Sequence, residues 1–351
     1  MDLAVVAQAA LITIIGAIGV TIFGLIFGLF YKGVDRKLSA HMQGRIGPPL
    51  KQPFLDVIKL FTKENIVPEN AISWVFNFVP LIGLVATISI LLYLPIAGFD
   101  PILYNKGDLI LILYLLIIPS LSMVIGGFSS GSPYATIGAQ REMATMIAYE
   151  FPLAIIIISI AWKLSIDGVS NVFSLSSIIA APIWSTVGPL GFIGFIILLL
   201  SLIIVTPAEL SKIPFDSPEA ETEIAGGLLV EYSGRNLAMF YLTDGVKTIV
   251  MASLIVALFF PYNLSPLLGL ESYLAFSVDI IFYLIKILLV ILFSVTLIRV
   301  AIARLKIDQI VYTYWVPITL LSLVGLICIM WDQTIMTNFG LEPLFKMIGL
   351  I

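Results

Sequence analysis

Eight runs of about 20 apolar residues constrain the fold of this chain more than any other feature. They lie near residues 8–31, 72–97, 108–128, 144–165, 187–207, 236–260, 277–299 and 311–331. A helix needs about 20 apolar residues to cross a bilayer, and its backbone groups must be hydrogen-bonded internally. The runs lack the alternation of barrel strands. The sequence therefore predicts an all-α polytopic membrane protein with eight transmembrane helices in a single integral domain, residues 1–351.

The composition supports this class and excludes others. Hydrophobic residues make up 60% of the chain and charged residues 11%, whereas about 25% of a soluble domain is charged. The formal net charge of −4 argues against a nucleic-acid partner, and the chain has no phosphate-binding Walker motif. The expected partner surface is the lipid membrane, and ATP is not the expected energy source.

The distribution of Lys and Arg predicts the orientation of the helices. The loop after the first span carries seven of them, whereas the next loop has only Lys106. The later odd-numbered loops contain Arg141, Lys212, Arg235, Arg304 and Lys306. By the positive-inside rule, loops one, three, five and seven face the cytoplasm and both termini lie outside. We therefore expect a multi-pass protein of the cytoplasmic (inner) membrane.

The cysteine and histidine counts limit the redox chemistry. The chain has one cysteine, Cys328, and one histidine, His41. Two such residues cannot build an iron–sulfur cluster, a two-histidine haem site or a structural zinc site within this chain. We predict that the chain itself holds no metal and no cofactor, so any electron transfer takes place in a partner.

Loop one contains a stiff turn followed by a helical pattern. The segment HMQGRIGPPLKQPFLDVIKLFTKE begins with glycines and prolines that favour a rigid, non-helical turn. Beyond it, Phe54, Val57, Ile58 and Phe61 recur at helical spacing, with the charged residues opposite. This pattern predicts an amphipathic helix on the membrane surface or against a partner. The predicted docking residues are Arg45, Gly47, Pro48, Pro49, Gln52, Pro53, Asp56, Lys59, Lys63, Glu64 and, from loop three, Arg141.

The fifth loop is strongly acidic. The stretch AELSKIPFDSPEAETEIAGGLLVEY and the residues just beyond it contain seven carboxylates: Glu209, Asp216, Glu219, Glu221, Glu223, Glu231 and Asp244. Ser217 followed by Pro218 predicts a helix start, which places Asp216, Glu219 and Glu223 near one face. Helix-dipole stabilisation of about 0.3–1 kcal/mol each is one explanation for such carboxylates. The other is proton transfer, because crowding and burial raise the pKa of carboxylates towards neutrality.

Further ionisable residues lie inside the predicted spans. Glu150 occurs in the fourth span, Asp244 and Lys247 are three residues apart in the sixth, and Asp279 and Lys286 are seven apart in the seventh. A charge at the bilayer centre costs about 2.5–3.5 kcal/mol on the insertion scale, so each is a functional candidate. Asp244 and Lys247 could instead form a purely structural ion pair.

These segments together resemble the NuoH-type membrane subunit of NADH-quinone oxidoreductase, the complex I family. The resemblance is carried by the acidic segment, by GRIGPP…QPFLDVIKLFTKE, by REMATMIAYEFPL and by ARLKIDQIVYTYW, so it covers most of the chain. Loop one, from Arg45 to Pro53, is shorter than the complex I pattern, with one Gly-Pro pair instead of two. In this it is similar to the corresponding membrane subunits of archaeal membrane-bound hydrogenases and sulfane-sulfur reductases.

The resemblance implies a membrane subunit that couples the electron transfer of a peripheral redox module to proton or sodium translocation. The implied partners are hydrogenase-like large and small subunits, an iron–sulfur subunit, small membrane subunits and antiporter-like subunits. These partners would hold the iron–sulfur clusters and, in the hydrogenase case, nickel–iron. The implied coupling residues are Glu150, Glu209, Asp216, Glu219, Glu221, Glu223, Glu231, Asp244, Lys247, Asp279 and Lys286.

Three alternatives stay open at the level of the sequence. The chain could be the quinone-cavity subunit of a true complex I, a stand-alone secondary transporter, or a passive anchor. A transporter of this kind would be expected to show inverted repeats and broken helices. An anchor gives no reason for charged residues within the spans. The tail from Gln333 is too short for a ninth span and is predicted to form an interfacial helix near 342–350.

Overall fold

A computed structural model describes residues 3–103, 109–169, 171–269, 272–339 and 343. Eight helices in it are long and apolar enough to cross a membrane. These spans are Leu11–Met42, Ser73–Tyr93, Leu109–Ser129, Pro133–Ile166, Pro189–Glu209, Gly234–Phe259, Tyr273–Ala301 and Ile307–Phe339. The prediction of an all-α protein with eight spans is confirmed, and the described residues contain no β-strand. The predicted interfacial helix near 342–350 lies outside the described residues.

Short helices lie between and within the spans. The surface helix of loop one is Gln52–Thr62, as predicted, and it begins with Pro53 at a position where proline is well tolerated. Other short α-helices are Leu175–Ala180, Glu221–Ile224 and Ser265–Leu268, and short 3₁₀ turns are Ile183–Ser185, Ser217–Glu219 and Gly227–Leu229. The seventh and eighth spans each include a π-helical turn, Leu292–Thr296 and Tyr314–Ile318.

The sixth span is the centre of the bundle. It packs against the first, second and seventh spans, and nearly all of it is buried. Glycines allow the closest approach: a Cβ atom on Gly28 of the first span would lie 2.8 Å from the carbonyl carbon of Gly245. The fifth and eighth spans meet in the same way at Gly194 and Gly325. Small residues at helix crossings are the usual means of close packing in lipid.

Loops one, three, five and seven meet at one end of the bundle. Ile72 of loop one donates its backbone N–H to Ser129 of loop three, and Arg304 of loop seven bonds Asp216 of loop five. The opposite end brings together loops two and four, where Leu109 N–H bonds Phe173 O. The predicted grouping of the odd-numbered loops therefore holds in the structure. Their cytoplasmic location, with both termini outside, stays a prediction.

Three local predictions are wrong. Arg141 lies within the fourth span, because the helix already begins at Pro133 and loop three is short. Ser217 begins only a 3₁₀ turn, and its hydroxyl makes no capping bond. The α-helix of the acidic segment is only Glu221–Ile224, so it does not carry Asp216, Glu219 and Glu223 on one face, and Ala225 follows it in the left-handed conformation with φ of +53°.

The surface helix also differs from its predicted orientation. Val57 and the supposedly outward Asp56 face the rest of the chain, where Asp56 bonds Arg36. Ile58 and Phe61 remain 61% and 52% exposed. Part of the apolar face of the helix is therefore free to meet lipid or a partner, as the amphipathic pattern predicted.

Candidate functional site

Asp244 of the sixth span is held by two lysines from other elements. Its carboxylate oxygens lie 2.5 Å from Lys32 Nζ of the first span and 2.6 and 2.7 Å from Lys212 Nζ of loop five. Lys32 also lies over the ring of Tyr241, 3.2 Å from its centroid. Because Gly28 and Gly245 bring the two helices together, Lys32, one turn further along, reaches Asp244. The alternative pairing of Asp244 with Lys247 is wrong.

Lys247 forms a second, more deeply buried ion pair. Its Nζ lies 2.9 Å from Glu209 Oε1 at the end of the fifth span, and the two side chains are only 4% and 2% exposed. Lys247 also donates to the Ser120 hydroxyl of the third span at 2.8 Å. Taking both charges out of water is expensive, and their mutual attraction offsets part of that cost.

The fourth span brings two more carboxylates to this pair. Glu142 is buried and accepts a hydrogen bond from the Ser211 hydroxyl at 3.4 Å. The Tyr149 hydroxyl lies 3.2 Å from Ser120 Oγ, which joins this span to Lys247. In Glu142 and Glu150, Oε1 is buried without a hydrogen-bond partner. Such acceptors are rare in folded proteins and mark sites where a proton or a water is held.

Two connected cavities lie beside these groups. One, of about 330 Å³, is lined by Glu209, Lys247 and Asp244, and the other, of about 360 Å³, by Asp35, Asp216 and Arg304. The residues common to both are Lys32, Arg36, Ser211, Lys212, Glu219 and Glu221. Their linings are rich in charge, so they suit water and ions.

Glu219 lies in the shared wall of the two cavities, outside the spans. Burial raises the pKa of this carboxyl above its ordinary value of 4.5, and the nearby positive charge of Lys212 opposes that rise only in part. Lys212 therefore stands between two carboxylates, Glu219 and Asp244, and bonds the second.

The other acidic residues of loop five have separate partners. Asp216 bonds Arg304 of loop seven at 2.9 and 2.5 Å, and Glu223 lies 2.5 Å from Arg141 of the fourth span. The sequence predicted that Asp216, Glu219 and Glu223 lie near one face. The structure shows that they do not. Glu221 is exposed at the cavities, and Glu231 is half-buried with no ion pair among the described residues.

The loop-one residues border a third, more open cleft. This cleft measures about 690 Å³ and is lined by four arginines: Arg36, Arg45, Arg299 and Arg304. Gly47, with φ of +72°, and Pro48 shape its edge. Pro49 and Pro53 frame the turn into the surface helix, Gln52 donates to Asp56 at 2.8 Å, and Lys59, Lys63 and Glu64 are exposed.

Asp279 and Lys286 lie apart from this site, near loop six. Asp279 accepts hydrogen bonds from the Leu264 and Ser265 backbone N–H groups at 3.1 and 2.9 Å and from the Ser265 hydroxyl at 2.6 Å. Lys286 donates to the Phe260 and Tyr262 carbonyls at 3.0 and 2.8 Å. Neither residue lines the two cavities, and of the other predicted coupling residues Glu150, Glu223 and Glu231 do not line them either.

Sequence reasoning missed several groups that complete the site. Lys32 and Lys212 counted only towards orientation, and Glu142 stood unremarked beside Arg141. The available signal for Glu142 was that it and Arg141 stand next to each other directly before a long apolar run. Two adjacent helical residues point in different directions, so one of these two must face the bundle. Nothing in the sequence marks Ser120 and Tyr149. Within the described residues, no three His, Cys, Asp or Glu side chains are grouped to hold a metal ion.

Comparison with known proteins gives consistent relatives. A family model described as NADH dehydrogenase matches residues 15–330. The H subunit of F(420)H(2) dehydrogenase from Methanosarcina mazei is 30% identical, over 89% of this chain and 91% of the relative. The H subunit of NADH-quinone oxidoreductase from Brevibacillus brevis is 33% identical, over 82% and 84%.

A solved structure agrees with these sequence matches. A chain of the membrane-bound sulfane sulfur reductase, an archaeal respiratory membrane complex, superimposes with a TM-score of 0.77 at 30% identity. The match covers 90% of this chain and 99% of that one. The chain therefore belongs to the NADH dehydrogenase family of NuoH-type proteins, which are complex I-related membrane subunits of respiratory oxidoreductases.

Proposed function

We propose that this subunit couples electron transfer in a peripheral redox module to the translocation of protons or sodium ions. The observation that carries the proposal is the row of buried and half-buried charges joined across the first, fifth and sixth spans and loop five. Asp244 is paired with Lys32 and Lys212, and Lys247 with Glu209. Burying these charges is costly, and replacing a buried ion pair by apolar residues is often neutral or stabilising. Their presence is therefore better explained by ion transfer than by anchoring.

Lys212 is the group through which loop five would act. It bonds Asp244 and lies beside Glu219, so a change in the charge or position of Glu219 alters its attraction to Asp244. If Lys212 moves towards an ionised Glu219, Asp244 keeps only Lys32 as its partner. A redox-driven movement of loop five would thus reach the sixth span as a change in charge pairing.

The proton path would continue inward along the fourth and fifth spans. Glu209 lines the cavity, and Glu142 and Glu150 of the fourth span would continue the path within the bundle, with Ser120 and Tyr149 as hydroxyl links. The unpartnered oxygens of Glu142 and Glu150 are suited to accept a proton or a bridging water. Glu150 would transfer the proton towards antiporter-like membrane subunits.

The peripheral module would dock on the face formed by loops one, three, five and seven. The arginine cleft and the exposed part of the surface helix offer charged and apolar contacts there. The proposed partners are hydrogenase-like large and small subunits and an iron–sulfur subunit, with the iron–sulfur clusters and any nickel–iron centre held by them. The compact Arg45–Pro53 turn favours a complex of the hydrogenase or sulfane-sulfur reductase type.

A second candidate is the quinone-cavity subunit of a true complex I. Its support is the relatives that carry the name NADH-quinone oxidoreductase. Against it, the apolar lining of the three cavities near loops one and five, which includes Met123, Leu229 and Phe240, is interrupted by Lys, Arg and carboxylate side chains. An isoprenoid quinone tail would require a continuous apolar lining.

The test is Glu150→Gln in the intact complex, reconstituted into vesicles. Electron transfer is assayed with the donor and acceptor that the purified complex uses, and ion movement with a potential-sensitive dye. We expect subunit composition to be preserved and the number of ions moved per electron pair to fall close to zero. Glu69→Gln, an exposed loop-one carboxylate, is the matched control and should behave as wild type. A normal ion-to-electron ratio in Glu150→Gln would contradict the proposal.

A further inference from the structure

An apolar groove opens on the lipid-facing side of the bundle, far from the coupling cavities. It measures about 410 Å³ and lies between Leu199 and Ile203 of the fifth span and Leu289 and Phe293 of the seventh, with Ile255 of the sixth span lining it as well. Leu289 and Phe293 are 47% and 53% exposed, so the groove is accessible from the membrane.

The groove exists because the fifth and seventh spans separate towards loop six. Their main contact is at the π-helical turn Leu292–Thr296, whose residue Phe293 forms the deep end of the groove. From Lys286 to Phe293 the seventh span rises about 10 Å. Half of the hydrocarbon core of a bilayer is about 15 Å thick, so the groove runs through most of one leaflet.

Lys286 stands at the end of the groove nearest to loop six. Its stem lines the groove, and its ammonium bonds the Phe260 and Tyr262 carbonyls just beyond the end of the sixth span. An ammonium has three N–H donors, so these carbonyls leave one, and Nζ also lies over the Phe282 ring, 5.0 Å from its centroid. No described carboxylate forms an ion pair with it. Asp279, seven residues earlier, already accepts bonds from Leu264 and Ser265.

We propose that this groove binds one acyl chain of a phospholipid with an acidic headgroup, whose phosphate meets Lys286. The site joins an apolar wall at hydrocarbon depth to a cation, at the height of the helix ends, that forms no ion pair with a described carboxylate, which is the charge pattern of a site for such a lipid. Tyr262 adds a phenol at the same level, where aromatic side chains typically meet headgroups.

The size of the groove distinguishes a lipid chain from a partner helix. A helical segment about 10 Å long and about 10 Å across occupies about 800 Å³. That is about twice the volume of the groove, which therefore suits a thin, flexible acyl chain better than a helix. The role of Lys286 thereby changes from the predicted ion-coupling residue to a lipid-binding one.

The test measures lipid retained by the purified, delipidated complex in native mass spectrometry. Phosphatidylglycerol and phosphatidylcholine with identical acyl chains are added separately. We expect wild type to retain one phosphatidylglycerol per copy of this chain in preference to phosphatidylcholine. Lys286→Met should lower that preference about fivefold, because one Lys near the surface contributes about that factor. Lys286→Arg should keep the preference, and Lys51→Met, in exposed loop one, should leave it unchanged.

A second variant tests the groove independently of the charge. Leu289→Trp should fill it and reduce the retention of both lipids, whereas Leu320→Trp, a similarly exposed position on the eighth span, should not. Equal retention of the two lipids by wild type, or unchanged binding in Leu289→Trp, would overturn the proposal. So would a photo-crosslinker at position 289 that captures a protein subunit in place of a lipid.

Discussion

The charged residues near loop five and those near loop six look alike in the sequence but differ in their partners. Asp244, Lys247 and Glu209 bond side chains of other spans and border cavities. Asp279 and Lys286 bond mainly backbone groups of a single loop. Side-chain pairs can exchange partners by rotating, whereas backbone bonds hold a fixed loop. The comparison teaches that a charge within a span is a candidate for coupling when it lies among other titratable side chains of the bundle, and not when it is bonded to the backbone of a loop.

The two regions should also differ in how strongly they depend on each charge. A buried ion that loses its partner has no water to solvate it. Removing the partner therefore lowers the free energy of unfolding by the full desolvation cost of the remaining ion. A half-exposed carboxylate that caps a loop is partly replaced by water when it is removed. Stability and ion transfer should therefore respond differently at the two ends of the bundle.

The largest effect is expected for Lys247→Met. It leaves Glu209, 2% exposed, as an unpaired buried carboxylate, and breaking such a pair costs about 3–5 kcal/mol in the free energy of unfolding. Thermal unfolding of the purified complex in detergent measures the loss. The double variant with Glu209→Gln removes both charges and should recover most of that stability. If the stability losses of the two single variants simply added in the double variant, Lys247 and Glu209 would not be energetically coupled. The proposed difference between the two regions would then be contradicted.

Asp279→Ala is expected to have a smaller and purely local effect. It removes the acceptor of the Leu264 and Ser265 N–H groups, at about 1 kcal/mol because the site is partly solvated. Hydrogen exchange should become faster in residues 260–269, while the ion-to-electron ratio stays that of wild type. Asp279→Asn, which keeps an acceptor oxygen, should restore most of the protection. A lower ion-to-electron ratio in Asp279→Ala would contradict the local role and show that Asp279 takes part in ion translocation.

The fold was accessible from the sequence because it depends on length and apolarity. The eight spans required only about 20 apolar residues each, and the amphipathic helix Gln52–Thr62 required only a helical repeat. Boundaries were less accessible. The early start at Pro133 moved Arg141 into a helix, and polar residues such as Arg141 gave no hydropathy signal for that extension.

The site was accessible only in part, because pairing is a long-range property. Asp244 and Lys247 suggested each other by spacing, yet they pair with Lys32 and Glu209, which are distant in the chain. Their partners depend on helix crossings such as that of Gly28 with Gly245, and a single sequence does not show which helices cross. Residue type revealed which groups carry charge, and packing decided what they meet.

The smallest expected effect is a change in pH dependence at Glu219, where the coupling region meets solvent. Burial raises its pKa above 4.5, so in the window between that value and the raised pKa the folded state binds more protons than the unfolded state. The free energy of unfolding should therefore fall as pH rises through this window. In Glu219→Gln that contribution is absent, so the variant should gain stability relative to wild type as pH rises. Thermal unfolding between about pH 4 and 8 measures this difference, with Glu69→Gln as the control. A difference that shrank with rising pH would mean that the attraction of Lys212 outweighs burial, and loop five would then hold a fixed ion pair like the loop-six end.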